Sequence, residues 1–127
     1  MKVIVCGGRK FDDVELVESV LDEIWRDSPG ELTLLHGCAS GTDAIANAWA
    51  LAKRAEGGCV TIARFPARWS RYGRAAGPVR NQEMLTYGQP DLVIAFPGGS
   101  GTADMVERAR RAKVETRHIA ARDAIKA

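Results

Sequence analysis

The sequence LVIAFPGGSGT, residues 92–102, passes from an apolar run through a glycine-rich turn towards a helical pattern. A short continuous apolar run is typical of a strand in a parallel sheet that is covered on both faces. Glycine lets the backbone approach a ligand closely, and the free amides and dipole of a following helix favour an anion. This stretch therefore predicts a strand, a turn and a helix that form a phosphate-binding loop.

The same alternation of strand and helix runs along the rest of the chain. Apolar runs predict five strands, at Lys2–Cys6, Leu32–His36, Val60–Phe65, Leu92–Phe96 and, with fewer apolar residues, Val114–Ile119. Helical spacing predicts helices over Asp13–Asp27, Asp43–Ala55, Pro78–Thr86 and Ala103–Ala112, while Ala120–Ala127 is either a short terminal helix or frayed. We expect a single α/β domain over residues 1–127, with a Rossmann-like, doubly wound parallel sheet of about five strands and helices on both faces.

Length and composition exclude several protein classes. The 127 residues are 46% hydrophobic and 27% charged, which is ordinary for a globular domain and excludes wholesale disorder. No apolar run approaches the roughly 18 residues of a membrane span, and the start, MKVIVCGG, is too short for a signal peptide. The three cysteines have no metal-ligand spacing, so we expect reduced thiols in a cytoplasmic protein with no metal, no cofactor and no membrane partner.

The charges are distributed unevenly. Between Glu56 and Glu83 there is no acidic residue, and the interval holds Arg64, Arg68, Arg71, Arg74 and Arg80. A local positive field in a chain whose net charge is only +2 favours a specific anionic partner over general coating of nucleic acid. The longest connection, Pro66–Gly77, lies in this interval and also carries Trp69 and Tyr72, and such long connections are commonly functional.

Three glycine-rich turns follow predicted strands. In open parallel sheets ligands bind beyond the carboxyl ends of the strands, so these turns should converge on one site. Neither a Walker loop nor a complete dinucleotide fingerprint is present, which makes ATP binding through a Walker lysine and NAD binding poor interpretations. The predicted ligand-binding residues are Gly7, Gly8, Arg9, His36, Gly37, Gly41, Thr42, Asp43, Trp69, Arg80, Asn81, Pro97, Gly98, Gly99, Ser100, Gly101 and Thr102.

Several of these residues have an alternative structural interpretation. Arg9 either reaches a phosphate or is an exposed surface arginine, and His36 either faces the ligand or is hydrogen-bonded at a strand end. Asp43 either complements the helix dipole or contacts the ligand as a ribose-binding group or base. Trp69 either stacks on a base or covers an apolar edge. Cys6 lies at a buried strand and is expected to be an inert thiol.

The segment FPGGSGT, residues 96–102, resembles the PGGxGT signature of the SLOG superfamily, which unites LOG-type phosphoribohydrolases with Smf/DprA DNA-processing proteins. Four further segments, at Gly8–Phe11, His36–Asp43, Pro66–Trp69 and Ala76–Met84, resemble its small stand-alone YspA/YpsA-related branch. The resemblance extends from Val3 to about Val114.

This resemblance implies a Rossmann-like, usually self-associating protein, here a homodimer, that binds nucleotides or nucleotide-derived ligands. In LOG enzymes an arginine upstream of PGGxGT and a glutamate after it serve cleavage of a nucleoside monophosphate into base and ribose 5-phosphate. Arg80 matches the arginine, but Met105 stands at the position of the glutamate. Asp104 and Glu107 flank Met105 and are expected to project on other sides of the helix.

The sequence thus favours a sensor or carrier for a nucleotide-like small molecule. One alternative is a phosphoribohydrolase or N-glycosidase, whose catalytic candidates are Asp43, Asp104 or Glu107 together with Arg80. A second alternative is a nucleic-acid-binding protein that uses the arginines between Arg64 and Arg80, which predicts a steep salt dependence.

Overall fold

A computed structural model describes residues 1–28 and 30–122 as a parallel sheet with helices on both faces. The strands are β1 (Lys2–Cys6), β2 (Glu31–His36), β3 (Cys59–Arg64), β4 (Leu92–Ala95) and β5 (Glu115–His118). The helices are α1 (Val14–Asp27), α2 (Thr42–Ala55), α3 (Trp69–Tyr72), α4 (Ala76–Gly88) and α5 (Ser100–Arg111), and a 3₁₀ turn at Gly73–Ala75 joins α3 to α4.

The strand order is β3-β2-β1-β4-β5, and all four pairs are parallel. β1 is central, and pairs Val3 with Leu34 of β2 and Val5 with Ile94 of β4. The chain builds outwards from β1 to β3 and then returns to the other side of β1 with β4. This reversal places a crevice beyond the carboxyl ends of β1 and β4, which is where doubly wound folds bind ligands. The predicted Rossmann-like α/β fold is confirmed.

Alternate residues of β1 enter two separate cores, as expected for a sheet that is covered on both faces. Val3 and Val5 pack with residues of α1 and α2, among them Leu21 and Trp49. Ile4 packs on the opposite face with residues of α4 and α5, among them Met84 and Met105.

The predicted elements differ from the observed ones mainly between β3 and β4 and at α5, which begins at Ser100, three residues before the predicted Ala103. Helix α4 extends two residues beyond the predicted Pro78–Thr86 at each end, so that Pro78 lies inside its first turn, where a missing amide hydrogen costs nothing. The long connection Pro66–Gly77 contains α3 and the 3₁₀ turn. Residues 123–127 of the predicted tail lie outside the described residues.

Among the described residues, no helix combines the length and the apolar character needed to cross a membrane.

Candidate ligand-binding cleft

The three glycine-rich loops interlock through their main chains, with the loop after β1 in the middle. The Gly8 amide donates to the Pro97 carbonyl at 2.8 Å, and the Gly8 carbonyl accepts from both the amide and the hydroxyl of Thr42 at 3.2 Å. The hydroxyl of Ser40 donates to the carbonyl of Arg9 at 3.1 Å. The loops therefore form one rigid cradle, as the sequence predicted from their positions at strand ends.

Glycine is required where these loops cross. A Cβ at Gly98 would lie 2.8 Å from the Gly8 nitrogen, and one at Gly8 would lie 3.0 Å from the Pro97 oxygen. Gly41 has a φ of +70° and its Cα faces the carbonyls of Gly8 and Arg9, so a side chain there would be both strained and obstructed.

A cleft of about 700 Å³ opens above this cradle, between the carboxyl ends of the strands, α4 and α5. Its size falls within the range of about 300–1,000 Å³ that is usual for small-molecule sites. The predicted site residues that line it are Gly7, Gly8, Arg9, Gly37, Asp43, Trp69, Arg80, Asn81, Gly99, Ser100, Gly101, Thr102 and the catalytic candidate Asp104. The other predicted residues, which do not line it, are His36, Gly41, Thr42, Pro97 and Gly98.

His36 is 3% exposed and supports the loop after β2. Its Nδ1 accepts from the Cys38 amide at 3.0 Å, which leaves Nε2 as the donor to Asn47 Oδ1 at 2.8 Å. Both ring nitrogens are occupied by protein groups, and the histidine is absent from the cleft lining. Of the two interpretations of His36, the structure therefore favours the histidine that is hydrogen-bonded at a strand end.

Arg80 projects from α4 and joins the ends of β2 and β3. Its Nη1 donates to the carbonyl of Gly37 and, at 3.5 Å, to that of Phe65, while its Nε donates to Asn81 Oδ1 at 3.0 Å. Burial lowers the pKa of Arg80 from its usual value, and the nearby Asp43 opposes that shift. Arg80 lines the cleft, but much of its donor capacity already holds the surrounding loops in place.

Asp43 opens α2 and braces the loop after β2. Its Oδ2 accepts from the amides of Gly37 and Ala39, both at 3.1 Å. Burial raises the pKa of this carboxyl above its usual value, against the opposing effects of the Ala39 amide, His36 and Arg80. The side chain reaches the cleft floor, where it adds a negative charge next to Arg80.

A polar network joins α4 to α5 along the opposite wall. The Nδ2 of Asn81 donates to the Gly101 carbonyl at 3.2 Å and to Asp104 Oδ2 at 2.9 Å, and Arg108 Nε donates to the same carboxylate oxygen at 2.8 Å. Asp104 therefore faces the cleft beside Met105, although the sequence placed it on another side of α5. Glu107 is outside the cleft lining and pairs with Arg110 and Arg111.

The start of α5 offers unused backbone donors to the cleft. Within the described residues, the amides of Ser100, Gly101 and Thr102 donate to no protein acceptor, since the first hydrogen bond of the helix runs from Ala103 to the Gly99 carbonyl. A Cβ at Gly99 or Gly101 would meet no atom within 4 Å. This end of α5 is thus open to a ligand, whereas the Thr42 amide at the start of α2 is already bonded to Gly8.

Sequence reasoning missed part of the cleft. Arg74 lines it from the 3₁₀ turn, and the thiol of Cys6 and the side chains of Met84 and Met105 contribute to its wall. In the sequence, Arg74 stood out only as one of the five arginines in the interval without acidic residues. Met105 was identified from the sequence only as the residue at the glutamate position, and the packing of α4 against α5 brings both methionines to the cleft.

Metal ligands are not clustered there. Over residues 1–28 and 30–122, no three His, Cys, Asp or Glu side chains come together in a way that could hold a metal ion.

Comparison with known proteins identifies the family. The family model described as YAcAr, the YspA, cpYpsA-related SLOG family, matches residues 1–72, more than half of the chain. The chain belongs to this SLOG family. It is also 38% identical over 116 residues to the gene 61 protein of Mycobacterium phage D29, an alignment that covers 89% of this chain and 91% of that protein.

Met105 lies outside the residues that the family model matches, and its comparison with the glutamate of LOG enzymes rests on the resemblance of the PGGxGT segment. In the structure it is 1% exposed and packs with Met84 and Ala109. A thioether neither activates water nor stabilises a cationic sugar. In this SLOG chain, Asp43 and Asp104 are the carboxylates that line the cleft.

Proposed function

We propose that the cleft binds a nucleotide or nucleotide-derived phosphorylated ligand, and that the protein is a sensor or carrier of that ligand. The observation that carries the proposal is the open first turn of α5, where three successive residues line a cleft of ligand size and their amides have no acceptor in the part of the chain that the structure describes. Backbone amides at a helix start, aided by the helix dipole, bind phosphate groups well.

The charges around the cleft support an anionic ligand. Arg9, Arg74 and Arg80 line it, against the two carboxylates Asp43 and Asp104. Asp43 accepts hydrogen bonds from two backbone amides, and Asp104 is paired with Arg108. The surplus positive charge is therefore available to a phosphate.

The same arrangement favours binding over cleavage. A general acid or base must reach the reacting atoms with a proton to give or accept. The carboxylate oxygens Asp43 Oδ2 and Asp104 Oδ2 each accept two hydrogen bonds from the protein, and Met105 supplies no such group.

A phosphoribohydrolase is the second candidate, because Asp104 lies in the cleft beside Met105. Such an enzyme would release free base from a nucleoside monophosphate. Asp104→Asn would abolish that release while retaining the shape of the side chain.

Replacement of Gly99 tests the proposal. The panel comprises nucleoside monophosphates, cyclic nucleotides, ADP-ribose and ribose 5-phosphate, measured by thermal shift together with assay of released base. A ligand at 100 times its Kd stabilises the fold by about 2.7 kcal/mol, or several degrees for a domain of this size. We expect Gly99→Asp to abolish the shift, since it places a carboxylate where the phosphate binds, and Gly99→Ala to retain it.

The two variants separate binding from folding. Position 99 has room for a side chain, and Asp at a helix N-cap stabilises helices, so Gly99→Asp should keep the melting temperature of the free protein. Full ligand affinity in Gly99→Asp would contradict the placement of the phosphate. A wild-type protein that no member of the panel stabilises would contradict the proposed function.

A further inference from the structure

Arg9 and Trp69 are in contact and both line the cleft. The guanidinium carbon of Arg9, on the loop after β1, lies 5.3 Å from the centre of the Trp69 ring on α3. Both residues line the main cleft and also a neighbouring cavity of about 220 Å³. A flat cationic group therefore covers a flat aromatic ring in the wall that the two cavities share.

Trp69 is poorly explained as a core residue. It is 49% exposed, and α3 and the following 3₁₀ turn contain no buried residue. The ring packs beside Gly77, where a Cβ would touch it at 3.7 Å, and so forms part of the cleft wall. A large aromatic side chain left half exposed in a concave site is suited to contact with a ligand.

Arg9 is held only loosely. Within residues 1–28 and 30–122, its guanidinium makes no hydrogen bond or ion pair with protein groups, and the Trp69 ring is its one charge-specific contact. Arg80, in the same cleft, donates to two backbone carbonyls and to Asn81. Arg9 is also exposed at the surface, so its side chain can leave the ring without breaking any other bond.

We propose that Trp69 is the base-stacking residue of the cleft and that Arg9 occupies its ring only until a nucleotide binds. The planar base replaces the guanidinium on the indole, and Arg9 is released to the phosphate. This inference rests on the proposed function and specifies its ligand class as one that carries a nucleobase. Because every base has a π face, stacking selects for a base without selecting which one.

The chain provides a matched control on the same helix. Arg71 covers Tyr72 at 5.3 Å, the same distance, but neither side chain lines the main cleft or the 220 Å³ cavity. Removal of the Tyr72 ring therefore disturbs α3 to a similar degree without touching the proposed base site.

The test compares AMP with ribose 5-phosphate, which lacks the base, by calorimetric titration of wild type, Trp69→Ala, Trp69→Phe and Tyr72→Ala. In wild type we expect AMP to bind on the order of 10- to 100-fold more tightly than ribose 5-phosphate. Trp69→Ala should weaken AMP by that factor and leave ribose 5-phosphate unchanged. Trp69→Phe should restore most of the difference, and Tyr72→Ala should behave as wild type.

Tryptophan fluorescence supplies a second readout that does not depend on affinity. Trp25 and Trp49 pack against each other in the core on the α1–α2 face, away from the cleft. Saturation with AMP should change the emission of wild type, and the change should be missing in Trp69→Phe.

The outcomes distinguish the two proposals. Equal loss of AMP and ribose 5-phosphate in Trp69→Ala, or equal affinity of wild type for both, overturns base stacking but leaves a phosphate-binding cleft. Absence of binding to wild type by both probes and by every other member of the panel overturns the proposed function, and the stacking proposal with it.

Discussion

The pKa of the Cys6 thiol shows how strongly desolvation can change the chemistry of a single residue. It ends β1 with its Sγ 3.7 Å from the Ile94 carbonyl, and it faces the cleft from below. The pKa of the thiol is raised to about 12, mainly by desolvation and also by the negative charge of Asp43, while Arg80 opposes the shift. The expectation of an inert thiol, made from its place on a buried strand, agrees with this environment.

The first prediction concerns thiol reactivity. At pH 8 the folded protein should expose two fast thiols to Ellman's reagent, Cys38 and Cys59, because both are exposed. Cys6 is half-buried and lines the cleft, but its raised pKa keeps the thiol protonated at pH 8, so it should react slowly until the chain is unfolded in denaturant. Cys38→Ser should lower the fast count to one. The unfolded chain releases the Cys6 proton near its ordinary pKa of 9.0 and the folded chain near 12, so the stabilising effect is complete below pH 9 and lost as the pH rises towards 12. Three fast thiols in the folded state would contradict the raised pKa of Cys6.

At the scale of elements, the side-chain amide of Asn81 connects α4 to α5. Asn81 is 6% exposed and connects Arg80, the Gly101 carbonyl and Asp104. It therefore links the arginine that holds the β2 and β3 ends to the helix start that offers amides to the ligand.

We predict that Asn81→Leu lowers the free energy of unfolding by about 1–3 kcal/mol, because Arg80, the Gly101 carbonyl and Asp104 each lose a hydrogen bond to the buried Asn81 side chain. It should also weaken ligand binding, since the first turn of α5 loses its anchor. Gln82→Ala is the control: the exposed Gln82 accepts one hydrogen bond from Arg108, and its loss should cost less than about 0.5 kcal/mol. Urea unfolding measures both values, and similar stability of the two variants would argue against a central role for Asn81.

Helices and strands could be predicted from the sequence wherever a local pattern, such as an apolar run or a glycine-rich turn, was clear. Apolar runs located the five strands, and the glycine turns located the loops that meet at the cleft. The segment Trp69–Ala75 carries no apolar periodicity, so its short helices could not be predicted from a pattern. His36 was placed among the binding residues because it ends a strand, yet only the fold shows that Asn47 and Cys38 occupy its ring. The position of Asp104 in the cleft could not be predicted from the sequence, because it depends on the packing of α4 against α5.

Over the whole molecule, the distribution of charge distinguishes a small ligand from a nucleic acid. Arg64, Arg68, Arg71 and Arg74 are exposed, whereas Arg80 is committed to backbone carbonyls. A single strand that contacted these four exposed arginines would release counterions at each contact.

We predict that AMP binding weakens only a few-fold between 50 and 200 mM salt, since one small anion in a partly enclosed site is weakly screened. Single-stranded DNA bound through four arginines would lose about 50-fold over the same range. Fluorescence anisotropy of labelled oligo(dT) measures this second value, with Arg71→Ala as a variant outside the cleft lining. Tight oligo(dT) binding with the steep dependence, weakened further in Arg71→Ala, would favour the nucleic-acid alternative.

The central place of β1 has a consequence for synthesis on the ribosome. β1, β2 and β3 are translated first, but β1 also pairs with β4, whose residues follow roughly 90 positions later. Until then one backbone edge of β1 is unpaired, and Ile4 and Leu35 lack the cover of α4 and α5. The chain from Arg64 to Arg111 takes roughly 2 to 10 seconds to translate at about 5–20 residues per second. During that interval the nascent half-sheet presents an open edge and an apolar face, which are the features that make incomplete chains prone to aggregate.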